Sequence, residues 1–165
     1  MDELTDGEAG IFQEEAFRHL LSREALRAIR YQDFFSVCLL RPDSPGERWG
    51  VSEKLERAMS QKIPEFVRAT DIVGQLSSAI AVILLHTAGD EALRVAERIR
   101  SNIEQDAFRE NPEARPTRLT ISVGKVSFPH DGHDDATLLS QAMAYLQQAL
   151  DQGGNQVNYN PRSLD

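Results

Sequence analysis

A chain of 165 residues with 41% hydrophobic and 27% charged side chains has the makings of one globular domain, spanning residues 1–165, with a core of its own. The formal charge of −8 excludes a general nucleic-acid binder, whose affinity comes largely from neutralising phosphates with Lys and Arg; an anionic ligand would need a local arginine cluster. The single cysteine, Cys38, lies in an apolar run and permits neither an internal disulfide nor a cysteine-based zinc site. With no signal peptide and no apolar run of about 18 residues to insert in a membrane, the expectation is a soluble cytoplasmic protein.

Residues 1–10 are acidic and contain glycine. Over residues 11–30, Phe12, Ala16, Phe17, Leu20, Leu21, Ala25 and Ile29 recur at helical spacing and predict an amphipathic helix. Residues 34–40 form the first predicted strand, followed by Arg41 and an irregular loop over 42–50 with two prolines and two glycines. Ser52 is placed to cap a helix over Leu55, Ala58, Met59 and Ile63, which Pro64 ends or kinks.

Residues 68–85 predict two strands folded back around Ser77 and Ser78. Ile72, Val73 and Leu76 lead up to the turn, and 79–85 is an aliphatic run of the length of a buried strand. Two serines are poor turn residues, because tight hairpin turns usually need positive φ, and a glycine pair is expected there. Residues 87–90, Thr-Ala-Gly-Asp, predict a cap for a helix that buries Leu93, Ala96, Ile99 and Ile103, and residues 106–117 predict an exposed loop. Residues 119–126 alternate as a strand, 128–132 turn the chain, and Asp134 or Asp135 caps a last helix through Leu138, Leu139, Ala142, Leu146 and Ala149. Gly153 and Gly154 stop that helix before a short strand at 156–159. This order suits an α+β fold in which helices cover a sheet.

The hairpin resembles the signature hairpin of the GGDEF domain, the catalytic domain of diguanylate cyclases, in which Arg-x-x-Asp-x-x-Ala-Arg-x-Gly-Gly-Asp/Glu-Glu-Phe precedes an apolar strand. Arg68 and Asp71 match, whereas the naming turn is replaced by Ser77, Ser78, Ala79, Ile80 and Ala81. Further similarity lies at Asp2-Glu-Leu-Thr5, at the Ala-Glu-Arg-Ile-Arg of 96–100, and at Leu-Thr-Ile-Ser-Val-Gly over 119–124. The resemblance covers nearly the whole chain and implies a central, mainly antiparallel sheet covered by helices, as in the palm-like nucleotide cyclases.

It also implies what chemistry is missing. Diguanylate cyclases join two GTP molecules, and phosphoryl transfer needs carboxylates to hold divalent metal. The metal-binding position after the first strand is Arg41, the hairpin carboxylates are Ala79 and Ile80, and the C-terminal Ala-Lys-x-x-Gly-Arg-Asn becomes 149–155, Ala-Leu-Asp-Gln-Gly-Gly-Asn. The expectation is a degenerate domain that is not an enzyme and holds no metal or cofactor. Two alternatives remain open: Asp43 or Glu47 could rebuild a metal site, or His130, His133, Asp131, Asp134 and Asp135 could form one, against the plainer reading of a solvated turn and helix cap.

The same family carries an inhibitory site, the I-site, that binds the product cyclic di-GMP through Arg-x-x-Asp placed five residues before the glycine pair, aided by an arginine of the next helix. Five residues separate Asp71 from Ser77, and the helix arginine matches Arg98 if one residue is deleted near His86. A guanidinium suits the guanine O6/N7 edge or a phosphate, and an ionised Asp accepts from guanine N–H groups. The resemblance therefore implies a cyclic di-GMP receptor in bacterial signalling that uses Arg68, Asp71 and Arg98. A ligand bound as an intercalated pair could join this domain to a protein partner or to a second copy as a homodimer. The competing readings are that Asp71 only caps a turn, that Arg98 is a solvated helix residue, and that the fold is a ligand-independent interaction or scaffold module.

Overall fold

Two apolar runs of the sequence become adjacent central strands of a six-stranded sheet. The computed structural model describes residues 10–43 and 52–164; the resemblance at 2–5, Glu47 and nearly all of the 42–50 loop lie outside the described residues. In chain order the elements are β1 (Ile11–Gln13), α1 (Glu14–Tyr31), β2 (Phe35–Pro42), α2 (Glu53–Ser60), β3 (Ile72–Gln75) and β4 (Ile80–Leu85). They continue with α3 (Gly89–Gln105), β5 (Ile121–Phe128), α4 (Asp135–Asp151) and β6 (Val157–Tyr159), with short helical turns at Ile63–Phe66 and Pro161–Leu164.

The sheet runs β1-β3-β4-β2-β5-β6. Its inner pairs are antiparallel, with Phe35 opposite Leu85 and Phe128, while both edge strands pair in parallel. The expected mainly antiparallel α+β sheet with helical cover is what forms. Helices α2 and α3 cover one face, where Met59, Ala96, Ile99 and Ile103 meet Cys38, Leu40, Val82 and Val123. Helices α1 and α4 cover the other, where Phe17, Leu21, Leu138 and Ala142 meet Val37, Leu39, Ile83 and Val126. Central strands buried on both faces explain why their sequences are continuous apolar runs.

Several local expectations are corrected. The first helix starts at Glu14, because residues 11–13 pair with β3. Ile11 faces the α2/α3 layer while Phe12 faces the α1/α4 layer, which is the alternation of a strand and too short to register as a period. At α3 the N-cap is Ala88 without a side-chain cap bond: Thr87 turns inward to donate to the Leu85 carbonyl at 2.8 Å, and Asp90 pairs with Arg94 at 2.6 Å. The 106–117 segment is not wholly exposed, since Phe108 is buried and its amide and carbonyl both bond Thr117.

Helix α2 ends at Ser60, short of the expected Ile63, and Pro64 lies within the separate helical turn at Ile63–Phe66. The predicted caps of α2 and α4 hold. The Ser52 hydroxyl caps α2 at the Leu55 amide, and the Asp134 carboxylate caps α4 at the Thr137 amide. Gly153 and Gly154, at φ +113° and +77°, return their amides to Leu150 and Ala149 and end α4. The hairpin turn closes through the Leu76 amide on the Ala79 carbonyl at 2.8 Å. Among the described residues the non-glycine positive-φ positions are Gln32, His86 and Asn155, so Ser77 and Ser78 turn without the backbone that calls for glycine. The turn is tied down from outside instead: the Glu14 carboxylate accepts from the Ser77 amide at 2.6 Å and from Arg18 at 3.0 Å.

Gly124 of β5 lies under α4, where an added Cβ would stand 2.1 Å from the Ala142 carbonyl oxygen and 2.5 Å from the Leu146 nitrogen. Backbone cannot swing aside as a side chain can. Gly124→Ala is therefore expected to destabilise the fold by at least about 1–3 kcal/mol, the usual cost of overpacking, read as a lower midpoint in urea unfolding; an unchanged midpoint would contradict this packing.

The Ser77 amide and then Arg18 hold the Glu14 carboxyl below its ordinary 4.5. A depressed carboxyl stabilises the fold in full above its unfolded value and loses that contribution as pH falls through the folded value. Wild type should therefore exceed Glu14→Gln in stability at pH 7, with the gap closing as pH drops below 4.5. A pH-independent gap in paired unfolding curves would refute this assignment.

Candidate functional site

The helical turn at Ile63–Phe66 ends the α2 region, and the chain then bends through Arg68 into β3. Asp71 shapes that bend. Its carboxylate accepts from the Arg68 amide at 3.0 Å and, across the hairpin, from the Leu85 amide at 3.1 Å. Its side chain is only 2% exposed, whereas that of Arg68 is 54% exposed with its Nε 3.6 Å from the Asp71 carboxylate. A buried anion thus supports an exposed cation.

The Arg68 guanidinium also reaches the end of β4, donating to the Leu85 carbonyl at 2.7 Å and to the Thr87 hydroxyl. Thr87 is itself fixed, since its carbonyl accepts from the buried Ser36 hydroxyl at 2.8 Å. Arg98, exposed on α3, donates to the Phe66 carbonyl at 3.1 Å, two residues before Arg68. All three predicted I-site residues therefore belong to one end of the sheet. They present two guanidinium groups and a carboxylate that already accepts backbone N–H groups, a set able to bind guanine edges or phosphate.

Much of this corner is backbone that leaves no mark in the sequence. The Leu85 carbonyl and Thr87 hydroxyl hold Arg68, and nothing in a strand-ending Leu or a predicted cap residue signals that role. The one-residue offset near His86 falls at a left-handed corner, His86 having φ +52°. The His86 Nδ1 lies 3.0 Å from Asp33, whose carboxyl is lowered to about 2, chiefly by its hydrogen bond from Arg27.

The opposite end of the sheet holds the positions where the resemblance puts catalysis. Arg41 is exposed near the end of β2, opposite Ser122 of β5; Ser77 and Ser78 are exposed at the turn; Ala79, Ile80 and Ala81 are buried. Asp43 is buried here with its carboxylate occupied, accepting from the Thr120 hydroxyl, the Ser122 hydroxyl and the Asn155 amide, each at 2.7 Å. These bonds tie the β2 end to the turn that follows α4.

Among the described residues, no group of three or more His, Cys, Asp or Glu is arranged to hold a metal ion. In the suspected 130–135 cluster, Asp131 accepts from the Ser127 amide and the Asn160 side chain, while Asp134 caps α4. Cys38 is buried in the sheet, where burial pushes its thiol up to about 12. That is the setting of an inert core thiol.

The family model described as "Diguanylate cyclase, GGDEF domain" matches residues 3–156. Diguanylate cyclase DosC of Escherichia coli K12 is 31% identical over 152 residues, covering 88% of this chain but 32% of DosC, so the chain spans about a third of the length of the curated relatives it matches.

Two solved structures share the fold. The GGDEF domain of DgcB from Caulobacter crescentus in complex with c-di-GMP superposes with a TM-score of 0.79 at 17% identity, covering 96% of this chain and 94% of that one. Diguanylate cyclase SiaD from Pseudomonas aeruginosa, in complex with its activator SiaC, gives a TM-score of 0.80 at 20% identity, over 95% of this chain and 62% of that one. Among the described residues no helix is long and apolar enough to cross a membrane. A family match running through nearly all of its elements makes this chain a member of the GGDEF domain family.

Proposed function

We propose that this GGDEF domain is catalytically inactive and works as a receptor for cyclic di-GMP, held at Arg68, Asp71 and Arg98. The observation that carries the reading is the contrast between the two ends of the sheet. At one end the Arg-x-x-Asp motif keeps its family spacing, and Arg68 and Arg98 reach neighbouring backbone with exposed side chains. At the other, Arg41, Ala79 and Ile80 stand where the resemblance to the family hairpin puts metal-binding carboxylates. Asp43, the described one of the two acids suspected of replacing them, has its carboxylate engaged in structural hydrogen bonds.

A ligand with two guanines and two phosphates satisfies such a corner because guanidinium groups bind both groups in two-pronged fashion. It does not require a positively charged protein, which a net charge of −8 rules out. A second reading, a module that binds a protein without ligand, is supported by the self-contained bonding of the corner: Asp71 and Arg68 already have internal partners and serve the fold as they stand. Pull-down of a bound protein with and without cyclic di-GMP separates the two readings.

Calorimetric titration with cyclic di-GMP tests the receptor. Wild type is expected to bind, and Arg68→Ala or Arg98→Ala to weaken binding between about fivefold and a hundredfold, the equivalent of the roughly 1–3 kcal/mol that a good two-pronged guanine contact supplies. Both side chains are exposed, so the variants should keep the fold. No heat from wild type at high ligand concentration would remove the proposal, and undiminished binding by both variants would move the site elsewhere.

The inactive half of the proposal is tested separately. Incubation with GTP and Mg²⁺ or Mn²⁺ is expected to yield no cyclic di-GMP by chromatography. Product that disappears on adding chelator and persists through repurification would overturn it.

A further inference from the structure

Among the described residues the exposed large apolar side chains are Leu26, Ile29, Tyr31 and Phe34, at 66%, 55%, 65% and 44% exposure. They are not scattered. All four belong to the last turns of α1 and the residues just after it, and single exposed leucines are ordinary where a cluster of this kind is not. Beside them lies a groove of about 550 Å³ between the end of α1 and the Phe128–Pro129 turn, lined by Ala28, Ile29, Gln32, Phe34, Pro129 and His133. Its surface is almost wholly apolar, and the one carboxylate on its wall, Asp33, is committed to Arg27 at 2.6 Å and His86 at 3.0 Å.

The charge around the groove is uneven. Leu26 stands three residues after Arg23 and four before Arg30, so the three share one strip of α1. Both arginines are exposed, and neither has a carboxylate partner among the described residues; Arg30 instead lies 5.7 Å from the Tyr31 ring. Across the groove His133 stands beside Asp134, whose carboxylate is spent on the α4 cap. In a chain of net charge −8 this α1 wall is a cationic strip next to the described surface's cluster of apolar side chains.

We propose that the groove is a docking site for an acidic amphipathic segment of a partner protein. Large apolar side chains of that segment fill the groove over Ile29 and Phe34, and its carboxylates lie along α1 against Arg23 and Arg30. The charge pattern selects this occupant over a second copy of the chain. A two-fold contact through the patch sets the Arg23 and Arg30 strip against the same strip, and like charges facing each other oppose association. The acidic flank adds encounter rate and register, and the apolar side chains supply the burial. The proposal uses neither Arg68 nor Asp71, so it stands or falls separately from the cyclic di-GMP reading.

The test is to pan an unbiased phage-displayed peptide library against the full chain and measure the enriched peptides, synthesised with a fluorescent label, by anisotropy. Enriched peptides are expected to carry net negative charge and at least two large apolar residues three or four apart. Ile29→Asp should weaken their binding at least tenfold and Arg30→Glu at least fivefold. Both positions are exposed, and thermal melting confirms that the variants fold. Four results overturn the proposal: no enrichment over a blank support, peptides that are neutral or basic, binding that Ile29→Asp leaves intact, or a self-association of the chain that Ile29→Asp abolishes.

Discussion

The Asp71 carboxylate joins the two ends of the core hairpin. One side chain receives the amide that leads into β3 and the amide that ends β4, and each such bond to an ionised acceptor contributes on the order of 1.5–3 kcal/mol. Because β4 lies between β3 and β2, the same carboxylate helps hold the register of three strands. It also fixes where Arg68 emerges. The stem of that side chain is anchored while its head remains half exposed, so an incoming anion meets a guanidinium whose position is already set. An anion bound there would have to replace the Leu85 carbonyl and Thr87 hydroxyl with its own acceptors.

Carboxylates at the other end of the sheet serve the backbone. Asp43 closes β2 onto β5 and the turn after α4 through three short hydrogen bonds, and Gly154 gives the space it needs, since a Cβ there would stand 2.7 Å from the carboxylate. Glu14 does the same for the hairpin turn through the Ser77 amide. Two acids near the expected catalytic end thus have their oxygens directed at N–H and O–H donors, where a metal would need them free. The serine turn, with no left-handed residue of its own, borrows part of its order from α1.

How legible each feature is in the sequence follows from how local its cause is. The runs at 35–40 and 80–85 announce buried strands because both faces of the central sheet are covered, and the caps at Ser52 and Asp134 need only a neighbouring amide. What escapes notice depends on distant partners. Ile11 and Phe12 become a strand only because β3 offers an edge, Thr87 gives up capping for Arg68, and Phe108 is buried by a bridge to Thr117. Lys125 is the extreme case: it is fully buried, with Ser163 at 3.4 Å and the Tyr159 ring at 5.9 Å, and burial lowers its pKa. Alternation places it in a strand, but only the helical turn at Pro161–Leu164 explains how it is covered. Within the candidate site, Arg68, Asp71 and Arg98 are singled out by the resemblance to the family hairpin, while the carbonyls that orient the arginines are written in no side chain.

The groove at the end of α1 and the Arg68 corner are joined by a short polar path. Arg27 keeps the Asp33 carboxyl lowered to about 2, so Asp33 remains an anion through the physiological range. That anion holds His86, the residue at φ +52° that turns the chain between Leu85 and Thr87. A non-glycine residue in this conformation needs support from its surroundings, and the Asp33 contact is such support. The oxygens on either side of His86 are the ones that position Arg68. The Asp33 contact thus bears on both acceptors of the Arg68 guanidinium through the single residue that lies between them.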